Sequence, residues 1–334
     1  MSKFATVIIP HYRAPRWLQI CISSLKKFHN ERDFEVWVID NSAGHNSIEA
    51  ITKTSLGDDI QVRVIPFEDM RTPALTLDYV IDYVETHWLF SAETDVRWLR
   101  DGWLDWYASY ARDDEVGIVG WYWQLEPDMD DTRHYISPAA TLYNIDMLRT
   151  LKADCIANKS LIISYGKDYK ERRDVRDTGD VENMILQGHW GPFAERRGFF
   201  HSYPVRPRYE QFWHDTGSWL YYRAMCQWEC VKIPGLWVSQ PENNCPPMKY
   251  TYYGESDEKA FLKHYWAGAV SHGFETGMVG GWAAHCVEWW LRREYALWQE
   301  EVPEDIRKFS EESGIIPNFE EELEYAKSRI CIPC

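Results

Sequence analysis

The chain has 334 residues, of which 45% are hydrophobic and 26% charged. That composition is close to the average of folded, water-soluble proteins and excludes disordered, collagen-like and coiled-coil readings. Lys and Arg number 36 against 52 Asp and Glu, a formal net charge of −16, and such a field repels phosphodiester backbones, so non-specific nucleic-acid binding is not expected.

From the N-terminus, residues 6–10 (TVIIP) form a short β-branched run ending at a proline. Residues 17–28 then place Leu18, Cys21, Ile22, Leu25 and Phe28 at helical spacing. Residues 34–40 (FEVWVID) repeat the strand signature, 47–54 suit a short helix, and 60–66 (IQVRVIP) supply a third strand. Pro73 opens the next helix at its first position, with Leu75, Leu77, Val80, Ile81 and Val84 as the apolar stripe. A fourth strand is expected over 87–91 (HWLFS), a helix over 98–111 and another strand over 116–123.

The stretch 209–235 is mixed, and a Pro/Asn-rich loop at 240–247 follows. Residues 256–272, 275–301, 303–313 and 318–328 read as helices, several opened by Ser, Pro or Asn. The chain is therefore divided into an α/β domain over 1–235 and a mainly helical C-terminal extension over 236–334, a surface available for self-association into a homo-oligomer.

Apolar runs such as 282–284 and 287–291 are broken by His285, Glu288 and Arg292, well short of the ~20 residues that a membrane helix needs. The four apolar residues before Pro10 are too few for a secretory core. Eight scattered cysteines suit reduced thiols, so a cytoplasmic setting is expected. Cys226, Cys230, Cys331 and Cys334 are spaced closely enough for a structural zinc to be weighed, but they match no common finger.

Strands alternating with helices argue for a mainly parallel sheet whose ligand site lies beyond the carboxyl ends of its strands. Those ends carry Pro10, His11, Tyr12 and Arg13 after the first strand, Asp40 and Asn41 after the second, and Glu93, Thr94 and Asp95 after the fourth. No G-x-G-x-x-G follows the first strand and no G-x-x-x-x-G-K-[ST] occurs, so neither a dinucleotide cradle nor a P-loop is present. In an extended segment Glu93 and Asp95 share a face, and two converging carboxylates are most simply accommodated by Mg²⁺ or Mn²⁺. The alternative is a pair of loop acids bridged to Arg97 or Arg100.

The ordered set V-I-I-P-H-Y-R, V-W-V-I-D-N-S, W-L-F-S-A-E-T-D-V, D-G-W-L-D-W-Y and V-G-I-V-G resembles the family 2 glycosyltransferases of the GT-A fold. The resemblance spans roughly residues 4–225 and implies a Rossmann-like mixed, mainly parallel sheet flanked by helices. By it, Asp40 would meet the nucleobase, Glu93 the ribose or metal, and Asp95 the metal. Gly179-Asp180-Val181-Glu182 looks like the family's E-D segment, which makes Asp180 the expected catalytic base. Trp213-His214-Asp215 resembles the segment that brings a His to the metal or diphosphate, which makes His214 the expected third ligand. Three departures stand out, since Glu93 replaces the first D of D-x-D, Gly179 the E of E-D, and Thr76, Leu77 and Asp78 stand about where the family's helix before the D-x-D carries Ala-Arg-Asn.

The expected activity is an inverting, metal-dependent transfer of a sugar from a nucleotide diphosphate donor, by default a UDP-sugar, to an acceptor hydroxyl on a glycan or other molecule. The rivals are a nucleotidyltransferase and a GT-A-fold carbohydrate-binding or scaffold protein without turnover. Among 18 Trp and 20 Tyr, those after residue 98 suit an acceptor groove, although most are expected in the core.

Overall fold

A computed structural model describes residues 3–11, 15–28, 30–40, 60, 62–66, 73–122, 136–151, 218–225, 227–240 and 248–265. Strands β1 (Ala5–His11), β2 (Phe34–Asp40), β3 (Val62–Pro66) and β4 (Trp88–Ala92) run parallel in the order β3-β2-β1-β4. The sheet continues through β7 (Ile136–Asn144), β6 (Val116–Tyr122) and β8 (Glu229–Ile233), with β7 antiparallel to both of its neighbours. Seven strands in the order β3-β2-β1-β4-β7-β6-β8 make a mixed, mainly parallel sheet, the kind that the resemblance implies.

Every residue of β1 is buried, as expected of a central parallel strand covered on both faces. Ala5, Val7 and Ile9 join one core and Ile8 the other, following the two-residue period of the strand. Helix α1 (Pro15–Lys27) turns Leu18, Cys21, Ile22 and Leu25 into the first core, and α3 (Trp103–Ala108) adds Trp103, Leu104 and Tyr107. The opposite face is covered by α2 (Pro73–Val80), a 3₁₀ turn at Ile81–Tyr83, α4 (Ile145–Thr150) and α5 (Ser218–Ala224). Asn144 caps α4, its side-chain oxygen accepting from the amides of Asp146 and Met147.

A second sheet has four antiparallel strands in the order β5-β11-β10-β9: β5 (Val96–Trp98), β9 (Gly235–Gln240), β10 (Met248–Tyr253) and β11 (Leu262–Tyr265). Gly254, at φ +155°, leaves β10 where a Cβ would lie 2.6 Å from the Ala260 backbone, an approach that only glycine tolerates. The return strand then pairs Leu262 with Trp98 and His264 with Val96.

Two expectations are corrected here. Residues 256–272 were expected to be helical, yet 262–265 are strand β11; Leu262 and Tyr265 sit at i and i+3, but both strand edges of β10 and β5 offer hydrogen bonds that outweigh that local spacing. The helix expected over 98–111 is confined to Trp103–Ala108, because Val96–Trp98 is committed to β5 and Gly102, at φ 74°, starts the helix afresh. The helices expected at 47–54 and beyond 272 lie outside the described residues.

Aromatic packing joins the two sheets. Trp103 is fully buried, with ring centroids 4.9 Å from Phe90, 5.6 Å from Trp98 and 5.6 Å from Phe34. Trp103→Ala should therefore cost about 3–5 kcal/mol. A chemical-denaturation midpoint close to that of the parent would contradict this packing account.

Candidate functional site

Strand order reverses between β1 and β4, since β2 and β3 lie to one side of β1 while β4 lies to the other. A crevice opens beyond the carboxyl ends at such a switch point. At the end of β4 the Glu93 amide donates to the Ala139 carbonyl at 2.9 Å, which pins the chain to β7. The Val96 amide then donates to the Glu93 carbonyl at 3.1 Å, closing a turn over Glu93-Thr94-Asp95-Val96 before β5 begins. The segment is thus a turn and not the extended run expected, but its two carboxylates still converge.

What they converge on is His264. Register places it opposite Val96, and the Tyr265 amide donates to the Asp95 carbonyl at 3.0 Å, locking β11 to the turn. Trp17 of α1 packs on Tyr265 with centroids 4.9 Å apart. His264 Nε2 lies 3.1 Å from Glu93 Oε2 and 3.2 Å from Asp95 Oδ1. Their ligand atoms all fall within 4.8 Å of one another. Asp95 and His264 are buried while the Glu93 side chain keeps 32% of its surface, so the cluster is open on the Glu93 side.

Burial by itself would pull the His264 pKa down. The charge of Asp95 and hydrogen bonds to Asp95 and Glu93 outweigh it and raise the group from 6.5 to about 10. In the cation-free protein a protonated imidazole therefore offsets part of the charge of the two acids. The two carboxylate oxygens and one imidazole nitrogen fit a divalent cation of the Mn²⁺ or Mg²⁺ kind, with the imidazole releasing its proton to become a ligand. Arg100 stands apart from this site, with its guanidinium over the Phe261 ring at 5.0 Å.

One strand further along, His11 and Asp40 are register partners at the ends of β1 and β2. Their side chains meet at 3.2 Å between Nδ1 and Oδ1, both nearly buried. Pro10 ends the inner part of β1 beside them. Thr94 sits half-buried in the turn between the two acids. The site residues expected at Tyr12, Arg13, Asn41, Asp180 and His214 lie outside the described residues, as do Cys226, Cys331 and Cys334 of the zinc alternative.

Residues 6–165 match the model of the glycosyl transferase family 2. Over this segment, a little under half of its length, the chain is similar to the family 2 glycosyltransferases. No curated protein matches the sequence. Among solved structures, the mannosyltransferase PcManGT from Pyrobaculum calidifontis, in complex with GDP-Man and Mn²⁺, aligns with a TM-score of 0.38 and 14% identity over 45% of this chain and 47% of its own. The S. aureus TarS 1-349 structure in complex with UDP aligns with a TM-score of 0.37 and 15% identity over 47% of this chain and 50% of its own. The chain thus spans about half the length of these structures.

The glycosyltransferase domain matched by the family model ends before His264, so the third member of the acidic cluster comes from outside it. Sequence reasoning passed over His264 because it assigned the residue to a helix. The available signal was the run Thr251-Tyr252-Tyr253 followed by Gly254, a β-rich stretch ending at a turn residue, which points to a hairpin. Among the described residues no helix is long and apolar enough to cross a membrane.

Proposed function

We propose that the protein is a metal-dependent, inverting glycosyltransferase that uses a nucleotide diphosphate sugar, in the first instance a UDP-sugar, and transfers the sugar to an acceptor hydroxyl. The observation that carries this reading is the convergence of Glu93, Asp95 and His264 at the switch point of a family 2 sheet.

In this reading Asp95, Glu93 and His264 hold a Mn²⁺ or Mg²⁺ ion. When bound, it supplies positive charge against the departing diphosphate. The turn pinned between β7 and β11 keeps the two carboxylates oriented before the donor arrives. Asp40, held by His11 two strands away from the cation cluster, accepts a hydrogen bond from the nucleobase. Strands are spaced ~4.8 Å apart, so that separation, about 10 Å, suits a nucleoside laid across the strand ends. Asp180 removes the acceptor proton as the hydroxyl attacks the anomeric carbon from the side opposite the leaving group. The segment beyond residue 265 contributes the acceptor side or self-association, and the chain works in the cytoplasm.

Thermal shift with Mn²⁺ and a panel of UDP-sugars, followed by donor turnover, tests the reading, since a ligand that favours the native state raises the melting temperature. A rise that needs the cation and nucleotide together is expected. Stabilisation without turnover on any acceptor or water would favour a binding protein instead, and no stabilisation by any nucleotide diphosphate would overturn the proposal.

His264→Ala provides a sharper check. Losing an outer-sphere partner of a metal ligand typically costs 10- to 100-fold in affinity, and losing a ligand itself should cost at least roughly as much. Calorimetry should then show a Mn²⁺ affinity reduced by roughly 10-fold or more. Unchanged affinity would return the third ligand to a residue such as His214.

A further inference from the structure

We infer that Tyr253 is a positioning residue of the same site, its hydroxyl accepting a hydrogen bond from a water carried by the cation held at Glu93, Asp95 and His264. The inference rests on the cation reading above and adds a residue to it.

Tyr253 is fully buried, and its hydroxyl has no hydrogen-bond partner among the described residues. Buried hydroxyls are nearly always satisfied, because an unmet one bears the whole cost of leaving water. Packing alone does not account for it. A phenylalanine ring would make the same edge contact with Trp121, whose centroid is 6.3 Å away, without an orphaned polar atom.

Strand register fixes where the residue faces. His264 is opposite Thr251 on β10, and Tyr253 is two residues further along, so all three lie on the same face of the four-stranded sheet. That face is the inner one, with Thr251, Tyr253 and Leu262 fully buried. On that face Tyr253 is the diagonal neighbour of His264, whose ring meets both acids. Tyr107 donates its hydroxyl to the Ala140 carbonyl at 2.7 Å, while the adjacent Ala139 carbonyl receives the Glu93 amide at 2.9 Å. Burial, then the charges of Glu93 and Asp95, hold the Tyr253 phenol well above the ordinary tyrosine range, so it stays a neutral hydroxyl.

Two tyrosines of similar burial thus differ in one respect. Tyr107 spends its hydroxyl on the backbone, whereas the Tyr253 hydroxyl has no protein partner on the face that carries His264. Outer-sphere partners of this kind fix the orientation of the groups bound to a metal.

The test uses the full chain, Mn²⁺ alone as the probe, and Tyr253→Phe beside Tyr107→Phe. For Tyr253→Phe the expected results are a Mn²⁺ affinity weakened by roughly 10-fold or more in calorimetry, and a metal-free melting temperature equal to or above that of the parent. For Tyr107→Phe the expected pattern is the reverse, a lower metal-free melting temperature with Mn²⁺ affinity retained. Affinity of Tyr253→Phe within about threefold of the parent, well below the outer-sphere range, overturns the inference and leaves the cation site standing. A weakened affinity accompanied by a melting temperature as low as that of Tyr107→Phe also overturns it, because a loosened fold then explains both. If the parent chain itself binds no Mn²⁺, the cation reading fails and this inference fails with it.

Discussion

Asp95→Ala should abolish the Mn²⁺-dependent part of nucleotide binding. Asp95 is almost fully buried and sits 3.2 Å from His264 at the foot of the cluster. Its charge is the largest influence opposing burial on the imidazole. Without it the protein loses an oxygen ligand and also the field that keeps His264 turned to this spot, so the remaining Glu93 and His264 form a two-donor site too poor for a hard cation. Calorimetric titration of UDP with and without Mn²⁺ measures the difference directly. The parent should show a cation-dependent gain that the variant lacks. Removing one partner of a buried ion pair can also cost roughly 3–5 kcal/mol of stability, so Asp95→Asn, which preserves shape, is the accompanying variant. Should both variants bind UDP with the parent's affinity and the parent's Mn²⁺ dependence, the assignment of the cation to this cluster is wrong.

The second large effect is expected at Asp180. An acceptor hydroxyl is a poor nucleophile until its proton is taken in the transition state, and a positioned base typically contributes ~10²- to 10⁴-fold in rate. Asp180→Asn keeps the volume of the side chain but cannot accept that proton. Donor affinity should stay near that of the parent while kcat falls by at least roughly a hundredfold, the signature of an interaction made only in the transition state. Asp177→Asn and Glu182→Gln are the internal controls. A loss displaced onto one of them would move the base along the chain and keep the mechanism. Full activity in all three would remove the base mechanism itself.

These expectations draw unequally on sequence and structure. The strands at 6–10, 34–40 and 87–91 were legible because buried parallel strands need continuous apolar, β-branched runs, and each is observed within a residue or two of its expected span. Pro73 announced its helix for the same local reason, a fixed φ suited to the first turn. Strand β7 went unread, although Ile136–Asn144 is buried throughout. Its Ser, Pro, Ala and Asn residues give no apolar run, and its place between β4 and β6 is set by neighbours distant in the chain.

Within the site, the sequence by itself determined that Glu93 and Asp95 stand at the end of a buried strand and that His11 and Asp40 stand at the ends of the first and second strands. Those positions follow from hydrophobic patterning, which is a local property. Only the tertiary structure decided that a turn, not an extended segment, brings the two acids together, and that the imidazole meeting them is His264. Its neighbour across the sheet, Val96, is far away in the chain, so no spacing between them could mark the contact. The pairing exists because β5 offers an unpaired edge beside the acidic turn and β11, set by the Gly254 turn, satisfies it.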